Sequence, residues 1–215
     1  HELDRNDPEI LFNLGGVYLL RDMYEAAADA FEKAIKIDPT DTTSYANLAA
    51  AYGMLKVYDK EIVALKKVLM FDPENKELRA ALSNAYFNSD RFEEAIDAAI
   101  CVVEIDEKDT QAYCNLGSCY AAQNMVDDAI IAFNKASELA PDYSLPHTNL
   151  GTLYANMGRP ETAIKELKVS VSLNSQDAGA WMNLYACYKE VGLMEESQNA
   201  FSKYEAILNA PELEQ

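Results

Sequence analysis

Residues 8–41 read PEILFNLGGVYLLRDMYEAAADAFEKAIKIDPTD, and variants of this stretch follow one another along nearly the whole 215-residue chain. A tyrosine recurs every 34 residues, and a leucine stands four residues before each one. The tyrosines are Tyr18, Tyr52, Tyr86, Tyr120, Tyr154 and Tyr188. A fixed period of this length indicates structural units that bury their apolar faces by stacking on copies of themselves. We therefore expect the binding surface to be a groove and not a pocket.

Each unit is predicted to hold two helices. In the first unit Asp7 precedes a proline, which is typical of a helix start, and Leu14 and Tyr18 then lie on one apolar stripe that faces the core. A second amphipathic segment covers about residues 24–37, and Pro39 prevents it from continuing. The predicted unit is therefore two helices joined by a tight turn.

A small residue follows the repeat leucine in five of the six units. We expect this residue to let the second helix approach closely, because that helix carries alanine at the facing position in most units. Gly15 and Ala27 are such a pair in the first unit. Tyr185 replaces the small residue in the sixth unit and Glu61 replaces the facing alanine in the second, so both crossings are expected to differ.

The order of a large residue, Leu-Gly, Tyr, Ala, Phe, Ala and Pro over 34 residues resembles the tetratricopeptide repeat. The resemblance implies an all-α fold, a right-handed superhelical solenoid of antiparallel helix pairs whose first helices line a concave channel. One domain is expected over residues 8–211, in the units 8–41, 42–75, 76–109, 110–143, 144–177 and 178–211. Residues 1–7 are interpreted as the tail of a preceding repeat or a linker, with further sequence expected before them, and residues 212–215 as a C-terminal tail.

The chain has 18 basic and 36 acidic residues and a net charge of −18. This charge disfavours nucleic acid and an anionic membrane surface as partners, because both are negatively charged, and it favours a basic or neutral ligand. Six of the acids stand in the first turn of a predicted second helix, where a carboxylate complements the helix dipole. They are Glu25, Asp59, Glu93, Asp127, Glu161 and Glu195. The net charge is therefore weak evidence about partners.

The four cysteines, Cys101, Cys114, Cys119 and Cys187, lie inside predicted helices and show no C-x-x-C spacing. We interpret them as small apolar residues and expect no disulfide, metal or cofactor. Reduced thiols favour a cytoplasmic location. No 18-residue apolar run occurs, so no membrane insertion is expected. No N-terminal signal is present, but the chain begins at His1 without Met, so an excised fragment would hide one.

Asparagine occupies position six of five units, on the side of the first helix away from the apolar stripe. These residues are Asn13, Asn47, Asn115, Asn149 and Asn183, while the third unit has Ala81 there and Asn84 one turn further along. Asparagine is only an average helix former, so local structure does not explain the repetition. A carboxamide both donates and accepts, which matches the N–H and C=O groups of an extended peptide. The alternative is that these amides bond to neighbouring helices or to water.

This asparagine ladder resembles the amides that line the channels of O-linked N-acetylglucosamine transferase and of the peroxisomal targeting-signal receptor, where they hold the ligand backbone. Around the ladder we predict further peptide-binding residues: the apolar Phe12, Phe87 and Met182, the acidic Glu9 and Glu77, and the cation Lys189. This mixture favours a ligand with spaced hydrophobic anchors. The Lys and Arg clamp by which some members of the family bind the acidic carboxyl end of heat-shock chaperones is missing, since no unit has Lys at position five.

Catalysis finds little support in the sequence. His147 occupies the position of Tyr45, Tyr113 and Trp181, so we interpret it as a packed ring, and the chain lacks a phosphate loop, an H-E-x-x-H motif and a nucleophile elbow. The predicted function is a non-enzymatic module or scaffold that binds an extended segment of another protein. Two alternatives stay open: the arm of a larger enzyme such as a glycosyltransferase, and a scaffold that self-associates through its C-terminal repeat around Tyr185 and Tyr204.

Overall fold

The computed structural model describes residues 7–210, which form twelve α-helices and no strand. The helices are α1 Pro8–Leu19, α2 Tyr24–Ile37, α3 Thr42–Met54, α4 Tyr58–Leu69, α5 Lys76–Asn88, α6 Phe92–Ile105, α7 Thr110–Ala122, α8 Val126–Leu139, α9 Leu145–Asn156, α10 Pro160–Leu173, α11 Ala178–Glu190 and α12 Met194–Leu208. The all-α fold of stacked helix pairs is confirmed. Apart from Asp7, the predicted tails lie outside the described residues.

The chain divides into two compact units, which we call the N-unit (residues 1–107, with α1–α6) and the C-unit (residues 108–215, with α7–α12). Each helix pair falls within one of the predicted 34-residue repeats. The prediction of a single domain over residues 8–211 stays a prediction. Within the described residues, no helix combines the length and the apolar character that a membrane crossing requires.

A side-chain cap starts five of the six first helices. Asp7, Asp41, Asn75, Asp109 and Asp177 each accept a hydrogen bond from a backbone N–H in the first turn. Such a bond satisfies one of the N–H groups that a helix start leaves without a partner, and typically stabilises a helix by about 1 kcal/mol. The exception is α9, which begins after Ser144 without a side-chain cap and carries a proline in its first turn.

The turn inside each helix pair has one backbone conformation in all six pairs. Its fifteenth repeat position has a positive φ of 57° to 79°, at Asp22, Lys56, Asp90, Asn124, Gly158 and Gly192. The N–H of the next residue then donates to the carbonyl of the repeat tyrosine at 2.9 Å. This left-handed residue with its long-range hydrogen bond is a Schellman cap, which ends the first helix and turns the chain back along it.

The small residue after the repeat leucine makes room for a large side chain of the second helix. A Cβ added at Gly15 would lie 2.6 Å from Phe31 Cε1, and one added at Gly117 would lie 2.6 Å from Phe133 Cε1. The alanines predicted to face these positions, such as Ala27, are buried as well. The space beside Gly15 and Gly117, however, is filled by a phenylalanine ring of the second helix and not by these alanines. This packing was not predicted from the sequence.

Two positions depart from the predicted packing. Leu14 was expected in the core but is 40% exposed, whereas the other five repeat leucines are buried. Tyr185 lies beside Phe201 with ring centroids 5.1 Å apart, and Tyr204 flanks the same ring at 6.1 Å. The aromatic residues of the sixth repeat thus pack within the chain. Self-association through this repeat stays a prediction.

Candidate functional site

Some first helices of neighbouring pairs contact each other in each unit. In the N-unit α1 contacts α3, and in the C-unit α7 contacts α9 and α9 contacts α11. No comparable contact joins two second helices among the described residues. Because the first helices lie closer together, their shared surface is the inner face of each unit. We call it the first-helix face, formed by repeat positions two, five, six, nine, twelve and thirteen.

The N-unit carries three of the predicted amides, Asn13, Asn47 and Asn84, on this face. Asn13 and Asn84 are exposed and Asn47 is partly exposed. None of the three side chains makes a hydrogen bond to another group within residues 7–210. Each amide therefore keeps its two donors and its acceptor available for a ligand.

The C-unit carries the other three, Asn115, Asn149 and Asn183, all partly exposed. Asn149 makes no side-chain hydrogen bond in the described part of the chain. Gln111 Nε2 donates to Asn115 Oδ1 at 2.8 Å, and Asn183 Nδ2 donates to Thr152 Oγ1 at 2.8 Å. Asn115 and Asn183 are thus each hydrogen-bonded to another side chain of the protein, although each amide keeps further hydrogen-bonding groups that these bonds do not use.

The two predicted aromatic anchors contact aromatic residues of the protein itself. Phe12 lies 6.0 Å from the ring of Phe31, and Phe87 lies 5.6 Å from the ring of Phe92. Both anchors remain partly exposed. Their rings are therefore held in place by an aromatic neighbour on the second helix of the same pair, while one side stays open to a ligand.

The remaining candidates are one thioether and three charged groups. Met182 is partly exposed, and Glu9, Glu77 and Lys189 are exposed. Lys189 Nζ lies 5.8 Å from the centre of the Tyr185 ring, within the range of a cation–π contact. The only cation predicted for the site is thus already next to an aromatic face of its own helix.

The predicted site residues are divided between the units. The N-unit holds Glu9, Phe12, Asn13, Asn47, Glu77, Asn84 and Phe87, and the C-unit holds Asn115, Asn149, Met182, Asn183 and Lys189. None of them is buried in the core. Their role in binding a peptide stays a prediction.

A polar network between α9, α10 and the start of α11 was missed by sequence reasoning. Thr148 Oγ1 lies 2.6 Å from Ser170 Oγ and donates to Asp177 Oδ2 at 2.9 Å. Ser170 is fully buried at a position where four other repeats carry Ala34, Val68, Val102 and Ala136. A serine in an otherwise apolar column was therefore the sequence signal that could have revealed the network.

His147 is held inside the helix pair α9 and α10. Its Nδ1 lies 2.8 Å from Glu166 Oε2, and both side chains are mostly buried. The ring thus occupies the repeat position that is aromatic in other units, as expected. It also pairs with a carboxylate, and this pairing was not predicted from the sequence.

Two of the buried cysteines, Cys114 and Cys187, are poor nucleophiles in this setting. Cys114, Cys119 and Cys187 are buried, and all four cysteines are free thiols. Burial, with a smaller contribution from Asp109, raises the pKa of Cys114 to about 12, and burial also raises the pKa of Cys187. Because the thiolate is the reactive form, these two thiols are unreactive at neutral pH.

Several solved structures are similar to this chain. MamA matches at 28% identity and a TM-score of 0.64, over 81% of this chain and 97% of that one. YrrB, titled a TPR protein with an unusual peptide-binding site, matches at 23% identity and a TM-score of 0.67, over 82% and 91%. PilW, titled a widely conserved type IV pilus biogenesis factor, matches at 20% identity and a TM-score of 0.76, over 95% of both chains. The last two likenesses concern the fold alone.

No curated protein matches the chain by sequence. Family models, however, agree with the structural likeness. Two models, both described as tetratricopeptide repeat, match residues 8–41 and 110–143 and residues 30–62 and 132–165, which together cover just over half of the chain. The repeat length, the twelve paired helices and these matches agree, and the chain belongs to the tetratricopeptide repeat family.

Proposed function

We propose that this protein is a non-enzymatic interaction module that binds an extended peptide segment of another protein on its first-helix faces. In this proposal the asparagine amides hold the main chain of the peptide. One observation carries it: Asn13, Asn47 and Asn149 face solvent and make no side-chain hydrogen bond within the described residues. A structural role for these three amides would require a partner in the scaffold.

The amides alone account for only part of the expected affinity. A hydrogen bond contributes about 1 kcal/mol net, so the three amides of one unit contribute roughly 3 kcal/mol, whereas a micromolar complex needs about 8 kcal/mol. Apolar contacts must supply the difference. The partly exposed Phe12 and Phe87 in the N-unit and Met182 in the C-unit are the candidates for those contacts.

The test replaces two amides of the C-unit. A short peptide is first selected for binding to the whole chain from a random library displayed on phage, then synthesised with a fluorescent label. Asn115→Ala combined with Asn149→Ala is expected to weaken its binding by about thirtyfold, since two lost hydrogen bonds correspond to about 2 kcal/mol. Fluorescence polarisation measures the affinity, and the melting temperature is expected to change little.

The matched control removes two amides elsewhere in the same unit. Asn134 on α8 and Asn199 on α12 are exposed on second helices. Asn134→Ala combined with Asn199→Ala is expected to leave the affinity unchanged. Equal affinity of the wild type and of the Asn115 and Asn149 variant would show that the ladder does not hold the peptide.

A further inference from the structure

The N-unit has a cavity of about 450 Å³ on its first-helix face. Thr43 and Ala46 line it from α3, and Val68 lines it from the end of α4. Thr43, Ala46 and Asn47 are spaced by three and four residues, so they share one side of the helix. The cavity therefore opens on the same side of α3 as an amide that has no partner in the scaffold.

The wall of this cavity includes an exposed aromatic residue. Phe71 lines it and is 60% exposed, and Met70 beside it in the sequence is 72% exposed. Helix α4 ends at Leu69, whereas α2, α6, α8 and α10 continue for two further repeat positions. Because α4 ends early, Phe71 lies in the turn that follows the helix, at the rim of the cavity. Adjacent large apolar side chains on the surface are typical of a contact site.

The rim is also acidic. Asp72 and Glu77 line the cavity, and no Lys or Arg is among its described lining residues. Asp72 Oδ2 accepts a hydrogen bond from Asn75 Nδ2 at 2.9 Å, while Glu77 is exposed and makes no ion pair within residues 7–210. Lys76, the residue before Glu77, is directed to Asp106 at 2.8 Å. The cavity thus offers a carboxylate without a cation.

The acidic rim favours a cationic ligand, and the N-termini of the two helices that border the cavity do not reverse this preference. The N-termini of α3 and α5 would favour an anion, but Asp41 already accepts from the Thr43 N–H and Asn75 already accepts from the Leu78 N–H. Asp41 also carries a negative charge next to Thr42 and Thr43, which line the cavity. A cationic group is therefore the better complement.

We propose that this cavity binds two side chains of the peptide, a bulky apolar residue and a Lys or Arg two residues away from it. The proposal rests on the peptide-binding function proposed above. In an extended chain, alternate side chains point to the same side and lie roughly 7 Å apart, so residues separated by one can enter one cavity together. The apolar side chain packs on Val68 and Phe71, and the cation lies at Asp72 and Glu77.

Selection from the random peptide library tests the spacing. Peptides that bind the whole chain are expected to be enriched in an aromatic or large aliphatic residue with Lys or Arg two positions before or after it. Moving the basic residue next to the apolar one in a synthetic copy is expected to weaken binding, because neighbouring side chains of an extended peptide point to opposite sides. Selected peptides without this pairing would contradict the proposal.

Two substitutions test the cavity. Thr43 is exposed, so Thr43→Trp fills the opening without disturbing the core and is expected to weaken binding at least about tenfold. Glu77→Gln is expected to weaken the basic peptide by about two- to fivefold and to reduce its salt dependence. The same substitution leaves the affinity unchanged for a copy of the peptide in which the basic residue is replaced by Gln.

The control is Ser172→Trp, a small-to-large change at an exposed position of α10, which is expected to have no effect. Binding that survives Thr43→Trp but is lost when Asn13 and Asn47 of the same unit are both replaced by Ala overturns the cavity proposal and leaves the proposed function intact. Recovery of no binding peptide at all overturns both. Melting temperatures of all variants are measured alongside, so that a loss of binding is not confused with unfolding.

Discussion

Glu61 stands in the second repeat at the position where the other five carry alanine or serine. Its side chain is partly buried and makes no hydrogen bond to another described residue. A Cβ added at Gly53 would lie 3.0 Å from Glu61 Oε1, so the carboxylate fills the space beside this glycine. Burial raises the pKa of Glu61 from its ordinary 4.5 to about 6. The folded protein therefore disfavours the charged form.

We predict that Glu61→Gln stabilises the protein at neutral pH. The substitution keeps the shape of the side chain and removes the charge that burial disfavours. A pKa shift from 4.5 to about 6 corresponds at most to about 2 kcal/mol. Because the group retains contact with water, we expect the free energy of unfolding in urea to rise by about 1 kcal/mol at pH 7.5.

The pH dependence follows from the direction of this shift. The folded state holds the Glu61 proton more tightly than the unfolded state, so the destabilisation is absent below pH 4.5 and complete above pH 6. The advantage of Glu61→Gln should therefore vanish as the pH falls through this window. Asp97→Asn, at an exposed position of α6, is the control and should change stability little at any pH. A pH-independent difference for Glu61→Gln would exclude this explanation.

At the scale of the element, α1 contains two adjacent glycines with opposite surroundings. The added Cβ at Gly15 would collide with the ring of Phe31, which is fully buried, whereas one at Gly16 would have no atom within 4 Å. Both residues have helical backbone. Only Gly15 is therefore required by packing. Gly16 lowers the stability of the helix, because glycine loses more conformational entropy on folding than alanine and no contact compensates for the loss.

We predict that Gly15→Ala and Gly16→Ala shift stability in opposite directions. Gly15→Ala should lower the free energy of unfolding by about 1–3 kcal/mol, because the added Cβ would lie 2.6 Å from the ring of the fully buried Phe31. Gly16→Ala should raise it by about 0.5–1 kcal/mol, the usual gain in a helix interior. Urea denaturation measures both, and each variant is the control for the other. Shifts of the same sign would mean that α1 does not pack on α2 as described.

At the scale of the whole molecule, the net charge of −18 is the dominant long-range feature. Many of the acids are exposed, including the six at repeat position eighteen, in the first turn of each second helix, which are Glu25, Asp59, Glu93, Asp127, Glu161 and Glu195. Each has a favourable local interaction with a helix start, but together they repel one another. Screening by salt should therefore favour the folded state.

We predict that raising the KCl concentration from low to physiological ionic strength increases the melting temperature. Relief of about 1 kcal/mol of repulsion corresponds to roughly 2–4 °C for a chain of this size. A variant with Glu104→Lys, Glu107→Lys and Asp142→Lys, all at exposed positions, lowers the net charge by a third and should show a smaller increase. Circular dichroism measures both. An equal increase in the two proteins would argue against charge repulsion as the cause.

Much of the element structure could be predicted from the sequence, because helical periodicity and helix-ending residues are local properties. The paired helices, the buried repeat leucines after the first, and the common face of the position-six asparagines follow from spacing alone. The left-handed turn was not predicted, because its signal is a single residue in each repeat and the second repeat lacks it. Asp, Asn or Gly, which adopt positive φ most readily, stands there in five repeats, whereas Lys56 stands there in the second. At Lys56 the conformation is imposed by the closure of the helix pair.

The sequence by itself determined the repeat, its helix pairs and the side of each first helix that carries the amides. Tertiary packing decided that Phe31 fills the space beside Gly15, that Asn183 donates to Thr152 while Asn149 has no partner, and that the early end of α4 leaves a cavity beside Phe71. The physical reason is the range of the forces involved. Periodicity records how neighbours along one helix share a face, whereas hydrogen bonds and voids between helices depend on the positions of side chains that are distant in sequence.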